Sequence, residues 1–246
     1  MRESTIAGMK VLTVYLANRE DFVAFVRALR WSSEPYPLPE SVGAMTIYGA
    51  RDQNRVEDVR RAWVGRGGER WDSQLKAILA VPQFRKYLAG TVIALSKGPY
   101  SHVTAEEVKG LLPGENEMEF CWETLSLKIR EAHEQAHVYS RSRYPQNKEA
   151  LRDEVLADAV GLVNAIGRYD APVAERLIGI KNGQVVDGGR LFHYLSPEEE
   201  VQRSVSRVRR MIDAVARFSE TQEALDPFEL LERMEREGVA LDVKEA

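Results

Sequence analysis

His133-Glu134-Gln135-Ala136-His137 is the stretch of this chain best equipped for chemistry, and a second acidic run, Asp153-Glu154-Val155-Leu156-Ala157-Asp158, follows it. On a helix, two histidines four residues apart set their imidazoles one turn apart, about 40° around the axis, where both can grip one cation. The glutamate between them leans toward a water on that cation. Such a pattern points to a zinc hydrolase.

The elements that must position these residues can be read from periodicity. Met118, Cys121, Trp122, Leu125, Ile129, Ala132 and Ala136 recur every three or four residues without Pro or Gly, which predicts a helix through His137 with both histidines at the edge of its apolar stripe. A second helix is predicted between Pro145 and Gly167. Leu151, Val155, Asp158, Leu162 and Ala165 share the face of Glu154, so two carboxylates point with the leucines. Buried unpaired carboxylates cost several kcal/mol, so this face calls for a cation or strong donors. Gly161, near the same line, would let another helix approach closely.

These residues resemble the gluzincin group of metallopeptidases, the thermolysin-like zincins, whose motif is H-E-x-x-H followed on a second helix by E-x-x-x-D. His133, Glu134, His137, Glu154 and Asp158 match it position by position, and the resemblance covers roughly residues 118–167. It implies His133, His137 and Glu154 as zinc ligands, Glu134 as general base, and Asp158 as acceptor for the outer nitrogen of a zinc-bound histidine. That last role agrees with the way ligating imidazoles are generally oriented. Asp153 stands where those enzymes often have Asn, and the connection between the motifs is short. The resemblance also implies a donor for the oxyanion of the tetrahedral intermediate, usually His or Tyr. His193 and Tyr194 are the candidates, with Tyr139 and Tyr144 as others.

With 246 residues, 44% of them hydrophobic, the chain can bury a substantial core. A net charge of −4 argues against nucleic acid or an anionic membrane as main partner, although local basic patches stay open. The single cysteine, Cys121, excludes an intrachain disulfide. The apolar run Val11–Ala17 is too short for an export signal and passes into Asn18-Arg19-Glu20-Asp21, and no window reaches the length of a membrane span. A cytoplasmic location is expected.

The rest of the chain reads as α+β and helix-dominated: a zincin-like fold with an N-terminal α+β lobe over 1–114 and a helical zinc-site region over 115–246. Strands are expected near 10–16, 44–49 and 91–96. Asn18 caps a helix through Phe22 and Val26, and Trp31 opens a Pro-rich loop. Arg, Gly and Trp interleave over 60–71 as in single-strand nucleic-acid contacts, yet an Arg-rich helix end before a Gly loop accounts for them. A helix over 73–88 breaks near Pro82. Residues 91–96 form either the edge strand that the resemblance pairs with extended substrate or an interior strand. Thr104 and Glu107 make a capping box for a helix ending near Pro113-Gly114. A helix from Asp170 stops at Asn182-Gly183, and Asp187-Gly188-Gly189-Arg190 delivers His193 and Tyr194. Ser196-Pro197-Glu198-Glu199 starts a helix that packs through Val201, Val205, Val208, Ile212 and Val215, with Arg203, Arg207 and Arg210 on a solvated face. Asp226-Pro227 starts the last helix.

The expected function is therefore a zinc metallopeptidase acting on a peptide or protein, with Zn2+ as cofactor and neither nucleic acid nor membrane as partner. The alternative is a non-catalytic interaction domain in which the same residues hold a structural metal or an ion-paired network. Structural zinc is usually closed by four ligands, often with cysteine, and Cys121 lies three turns before His133, too far to close this site.

Overall fold

Arg2–Ile6 (β1) and Met9–Leu16 (β2) open the chain as an antiparallel hairpin closed by Ala7 and Gly8, both at positive φ, as a tight two-residue turn requires. The sequence predicts β2 alone, because β1 is mostly polar and exposed. A computed structural model describes residues 1–30, 35–112, 122–147, 149–195, 201–222 and 226–241. Trp31, Pro113-Gly114, the metal helix's predicted start at Met118 and Cys121, and Ser196-Pro197-Glu198-Glu199 lie outside the described residues.

After β2 come helix Arg19–Arg30 (α1), strand Ala44–Arg51 (β3), helices Gln53–Val64 (α2), Trp71–Ala80 (α3) and Pro82–Leu88 (α4), and strand Ala89–Ser96 (β4). Among the described residues the strands form one mixed sheet in the order β1-β2-β4-β3, with β4 parallel to β2 and antiparallel to β3. Residues 91–96 are thus an interior strand, buried at every position, and not an edge. The edge over the candidate site is β3.

Each face of the sheet has its own helix. Val14, Ile47, Val92 and Ala94 pack against Phe22 and Val26 of α1. Ile6, Val11, Ile93 and Leu95 pack against Val138, which belongs to the motif-bearing helix Trp122–Arg143 (α6). Between them lie the 3-10 turn Tyr100–His102 and helix Ala105–Lys109 (α5), which begins with the predicted capping box of Thr104 and Glu107.

Helix α6 packs its other side on Ala150–Ile166 (α7). Gly161 allows the approach: a Cβ there would stand 2.7 Å from the carbonyl oxygen of Ile129. Helix Ala171–Ile178 (α8) ends four residues earlier than its predicted stop, on Gly179 at φ 93°. Asn182 and Gly183, at φ 52° and 74°, instead form the turn of a small hairpin, Ile180–Lys181 (β5) and Gln184–Val185 (β6), the conformation that Asn-Gly favours. Helices Val201–Glu220 (α9) and Pro227–Arg236 (α10) complete the helical core around Leu156, Leu162, Leu177, Met211 and Leu231. Arg152 of α7 and Glu235 of α10 form a buried ion pair at 2.6 Å. Arg207 leaves the predicted solvated face to pair with Glu149 at 2.6 Å. No described helix is long and apolar enough to cross a membrane.

Candidate metal centre

Helices α6 and α7 turn their acidic and imidazole side chains toward one another at their closest packing. His133 is 4% and Asp158 2% exposed, so they lie within the interface, whereas His137 is only partly buried, toward its edge. The Nε2 atoms of His133 and His137 are 2.9 Å apart, and Glu154 sends Oε2 to within 3.4 Å of the first and Oε1 to within 3.3 Å of the second. A tetrahedral ion about 2.0–2.1 Å from nitrogen and oxygen donors sets them about 3.3 Å apart. His133, His137 and Glu154 therefore fit one cation, and among the described residues they form a group able to hold a metal ion.

Both outer ring nitrogens are taken. His133 Nδ1 donates to Asp158 Oδ1 at 2.8 Å, and His137 Nδ1 donates to Asp153 Oδ2 at 3.0 Å. With each Nδ1–H held by a carboxylate, Nε2 is the atom that faces the centre, and its lone pair is open to a cation once the ring is neutral. Asp158 is further held by the Tyr100 hydroxyl, which donates to Oδ1 at 2.9 Å, and by the Arg190 guanidinium on Oδ2. Arg190 also donates to the Tyr100 oxygen and stands 3.7 Å from Glu154. Gly179 and Gly189 make this possible: a Cβ on Gly179 would lie 2.8 Å from the Gly189 Cα, and only bare backbones can cross so closely ahead of Arg190.

Burial and the neighbouring His137 work against a charged His133, but Asp158 and Glu154 outweigh them and lift it to about 9. His137 is raised as well: burial opposes it, while Glu154 and Asp153 prevail. Glu154 is held far below the usual carboxylate range by the two imidazoles, against its burial. Burial pushes Asp158 up to about 6 and Arg190 down to about 10.

Glu134, between the two histidines on α6, also meets the sheet, where Thr46 of the edge strand β3 donates to its Oε2 at 2.6 Å. One turn earlier, the fully buried Arg130 donates to the carbonyls of Gly43 at 3.0 Å, Gly98 at 2.6 Å and Ser126 at 3.3 Å, tying the start of β3 and the end of β4 to α6. His193 and Tyr194 arrive on the 3-10 turn Arg190–Tyr194. Tyr194 hydrogen-bonds Glu154 and is raised by burial and that carboxylate, so its hydroxyl keeps its proton. His193 Nε2 lies 2.7 Å from Ser41 Oγ, and burial and Arg190 lower its pKa. The other two tyrosine candidates are turned elsewhere: Tyr139 donates to Glu232 Oε2 at 2.9 Å and Tyr144 reaches the Glu232 carbonyl at 3.5 Å, both on α10.

Tyr100, Arg190, Thr46 and Ser41 were beyond sequence reasoning. Only Arg190 carried a signal, its place directly after Asp187-Gly188-Gly189, and there the sequence is read as delivering His193 instead. No curated protein and no solved structure matches the chain. A family model described as a family of unknown function, DUF7005, matches residues 1–232, a span that contains every residue of this centre, and the chain belongs to that family.

Proposed function

We propose that this protein is a zinc-dependent metallopeptidase in which His133, His137 and Glu154 hold the metal and Glu134 is the general base. What carries the proposal is the convergence of three donors 2.9, 3.4 and 3.3 Å apart while both outer ring nitrogens are committed to carboxylates. Three protein ligands of this kind leave a coordination position open, the arrangement of catalytic rather than structural zinc. Charge supports a divalent ion. With both imidazoles neutral, Glu154 and Asp158 stand against the one guanidinium of Arg190, which leaves negative charge for a cation to match in a largely buried site.

Zinc held there would polarise a water and the scissile carbonyl. Glu134 takes the proton of the attacking water and returns it to the leaving amine, so the C–N bond breaks and the elements of water divide between the two products. His193 and Tyr194, beside Glu154, are the donors for the oxygen on which negative charge develops. The side of β3 that pairs with no strand among the described residues, where Thr46 touches Glu134, suits an extended peptide added as a further strand.

The test is metal content first and turnover second. Protein purified without chelator should carry close to one zinc per chain, on the order expected for three converging ligands. Glu134→Gln should keep that zinc and lose hydrolysis of a mixed peptide library. A Glu134→Gln protein as active as wild type would remove the base assignment. Wild type that takes up no zinc when it is offered to the folded chain would leave the non-catalytic, ion-paired interaction domain in its place.

A further inference from the structure

The connection between β3 and β4, residues 52–88, forms α2, α3 and α4 and buries little of its surface. Helix α3 has no fully buried residue, α4 buries only Leu88, and every side chain from Val81 to Tyr87 is exposed. Helices this short do not hold themselves in water, where isolated segments under about 12–15 residues are marginal. On α4, Val81, Phe84 and Tyr87 repeat every three residues and are 39%, 54% and 53% exposed. Val64, at the end of α2, is 54% exposed.

On α4 itself Arg85 and Lys86 stand beside these apolar groups, and no acid occurs between Val81 and Leu88. Residues 52–88 carry eight Arg and Lys against five Asp and Glu, in a chain whose net charge is −4. Arg55, Arg60 and Arg61 are paired with Asp52, Glu57 and Asp58. Arg66, Arg70, Lys76, Arg85 and Lys86 are exposed and form no ion pair among the described residues.

We propose that this connection docks on an anionic lipid bilayer, with Phe84, Tyr87 and Val81 entering the boundary between headgroups and acyl chains and the unpaired Arg and Lys meeting the headgroup charge. A second copy of the chain fits poorly, because a two-fold contact through this face would bring the same cations together. A single-stranded nucleic acid would need stacking platforms along the Arg-Gly run of residues 60–71 as well as on Phe84 and Tyr87. Trp63, the best candidate, has Gly68 packed on its ring, where a Cβ would stand 2.2 Å away, and its N–H is bonded to the Glu69 carbonyl at 3.1 Å. The attachment is peripheral: among the described residues no helix can span the bilayer.

The full chain should float with phosphatidylcholine vesicles that contain phosphatidylserine and not with phosphatidylcholine alone, and added salt should weaken the binding. Arg85→Ala with Lys86→Ala should lower partition about five-fold per charge removed. Phe84→Ser with Tyr87→Ser should cost about ten-fold or more for each ring. Phe84, Arg85 and Lys86 are exposed, and the half-exposed Tyr87 ring meets the surface guanidinium of Arg55 at 5.4 Å, so circular dichroism, melting and zinc content should stay close to wild type and separate a binding defect from misfolding. The proposal is overturned by an absence of binding to the anionic vesicles, by equal binding of the Phe84/Tyr87 variant, by self-association that those substitutions abolish in place of vesicle binding, or by binding to a single-stranded oligonucleotide but not to vesicles.

Discussion

The Nε2 atoms of His133 and His137 stand 2.9 Å apart, a separation at which two protonated nitrogens repel and two lone pairs converge on one point. The acids around the pair nonetheless favour protons on it, lifting His133 to about 9 against burial and its neighbour. Cation and protons therefore compete for the same atoms. Zinc affinity should rise steeply from pH 6 to about 9 and flatten above, with release of about one to two protons per metal at neutral pH. Calorimetry in buffers of different ionisation heat measures that release, and a pH-independent affinity would remove this account of the centre.

The same shift has a sign for folding. A histidine raised from 6.5 to about 9 contributes stability that is complete below 6.5 and is lost as pH climbs through 9. Asp158, raised by burial to about 6, titrates below that window. Metal-free protein should therefore lose melting temperature between pH 7 and 9, while zinc-loaded protein, whose imidazoles carry no exchangeable Nε2 proton, should hold its melting temperature better over that range. Parallel melting curves across the two forms would contradict it.

The two orienting carboxylates should be unequal. Asp158 is buried and carries Arg190 as well as His133, whereas the Asp153 side chain is 36% exposed and serves His137. Asp153→Asn should weaken zinc by about 10-fold, the low end of such effects, and barely change melting. Asp158→Asn should weaken zinc further and also cost about 3 kcal/mol, because it leaves the buried Arg190 charge only the more distant Glu154, at 3.7 Å. Equal melting temperatures for the two variants would show that Arg190 does not depend on Asp158.

Helix spacing should be readable in metal affinity. The Cβ of Gly161→Ala would press on Ile129, one turn before His133, from the helix that carries Glu154 and Asp158. Overpacking of this kind costs about 1–3 kcal/mol, partly offset by alanine's roughly 1 kcal/mol better helix propensity. Zinc affinity should fall along with stability, since the ligands on the two helices separate. A variant that melts lower yet binds zinc as tightly as wild type would uncouple packing from the site.

Arg130 and Gly43 should be coupled. A Cβ on Gly43 would stand 2.6 Å from an Arg130 guanidinium nitrogen, which itself donates to the Gly43 carbonyl. Gly43→Ala should destabilise the wild type and cost much less beside Arg130→Met, with a coupling energy on the order of 1–3 kcal/mol. Denaturant titrations of the four proteins measure it, and additive costs would mean that the contact does not hold the start of β3.

Local periodicity alone determined the pairing of the two candidate ligand histidines. His133 and His137 are neighbours because a helix brings residues four apart together, and Glu154 and Asp158 share a face for the same reason. The capping box of Thr104 and Glu107, the break before Pro82 and the close-packed Gly161 were equally legible, each being a local geometric requirement. Pairing between distant strands is not a local property. Nothing within 91–96 distinguishes an interior from an edge strand, and only the β1-β2-β4-β3 order made β3 the edge beside Glu134. Tyr100 and Arg190 reach Asp158 from 58 and 32 residues away along the chain, through a 3-10 turn and a Gly-Gly crossing that no period announces. Net charge likewise averaged away the excess of cations over acids in residues 52–88, where five of the cations fold exposed and without an ion pair among the described residues.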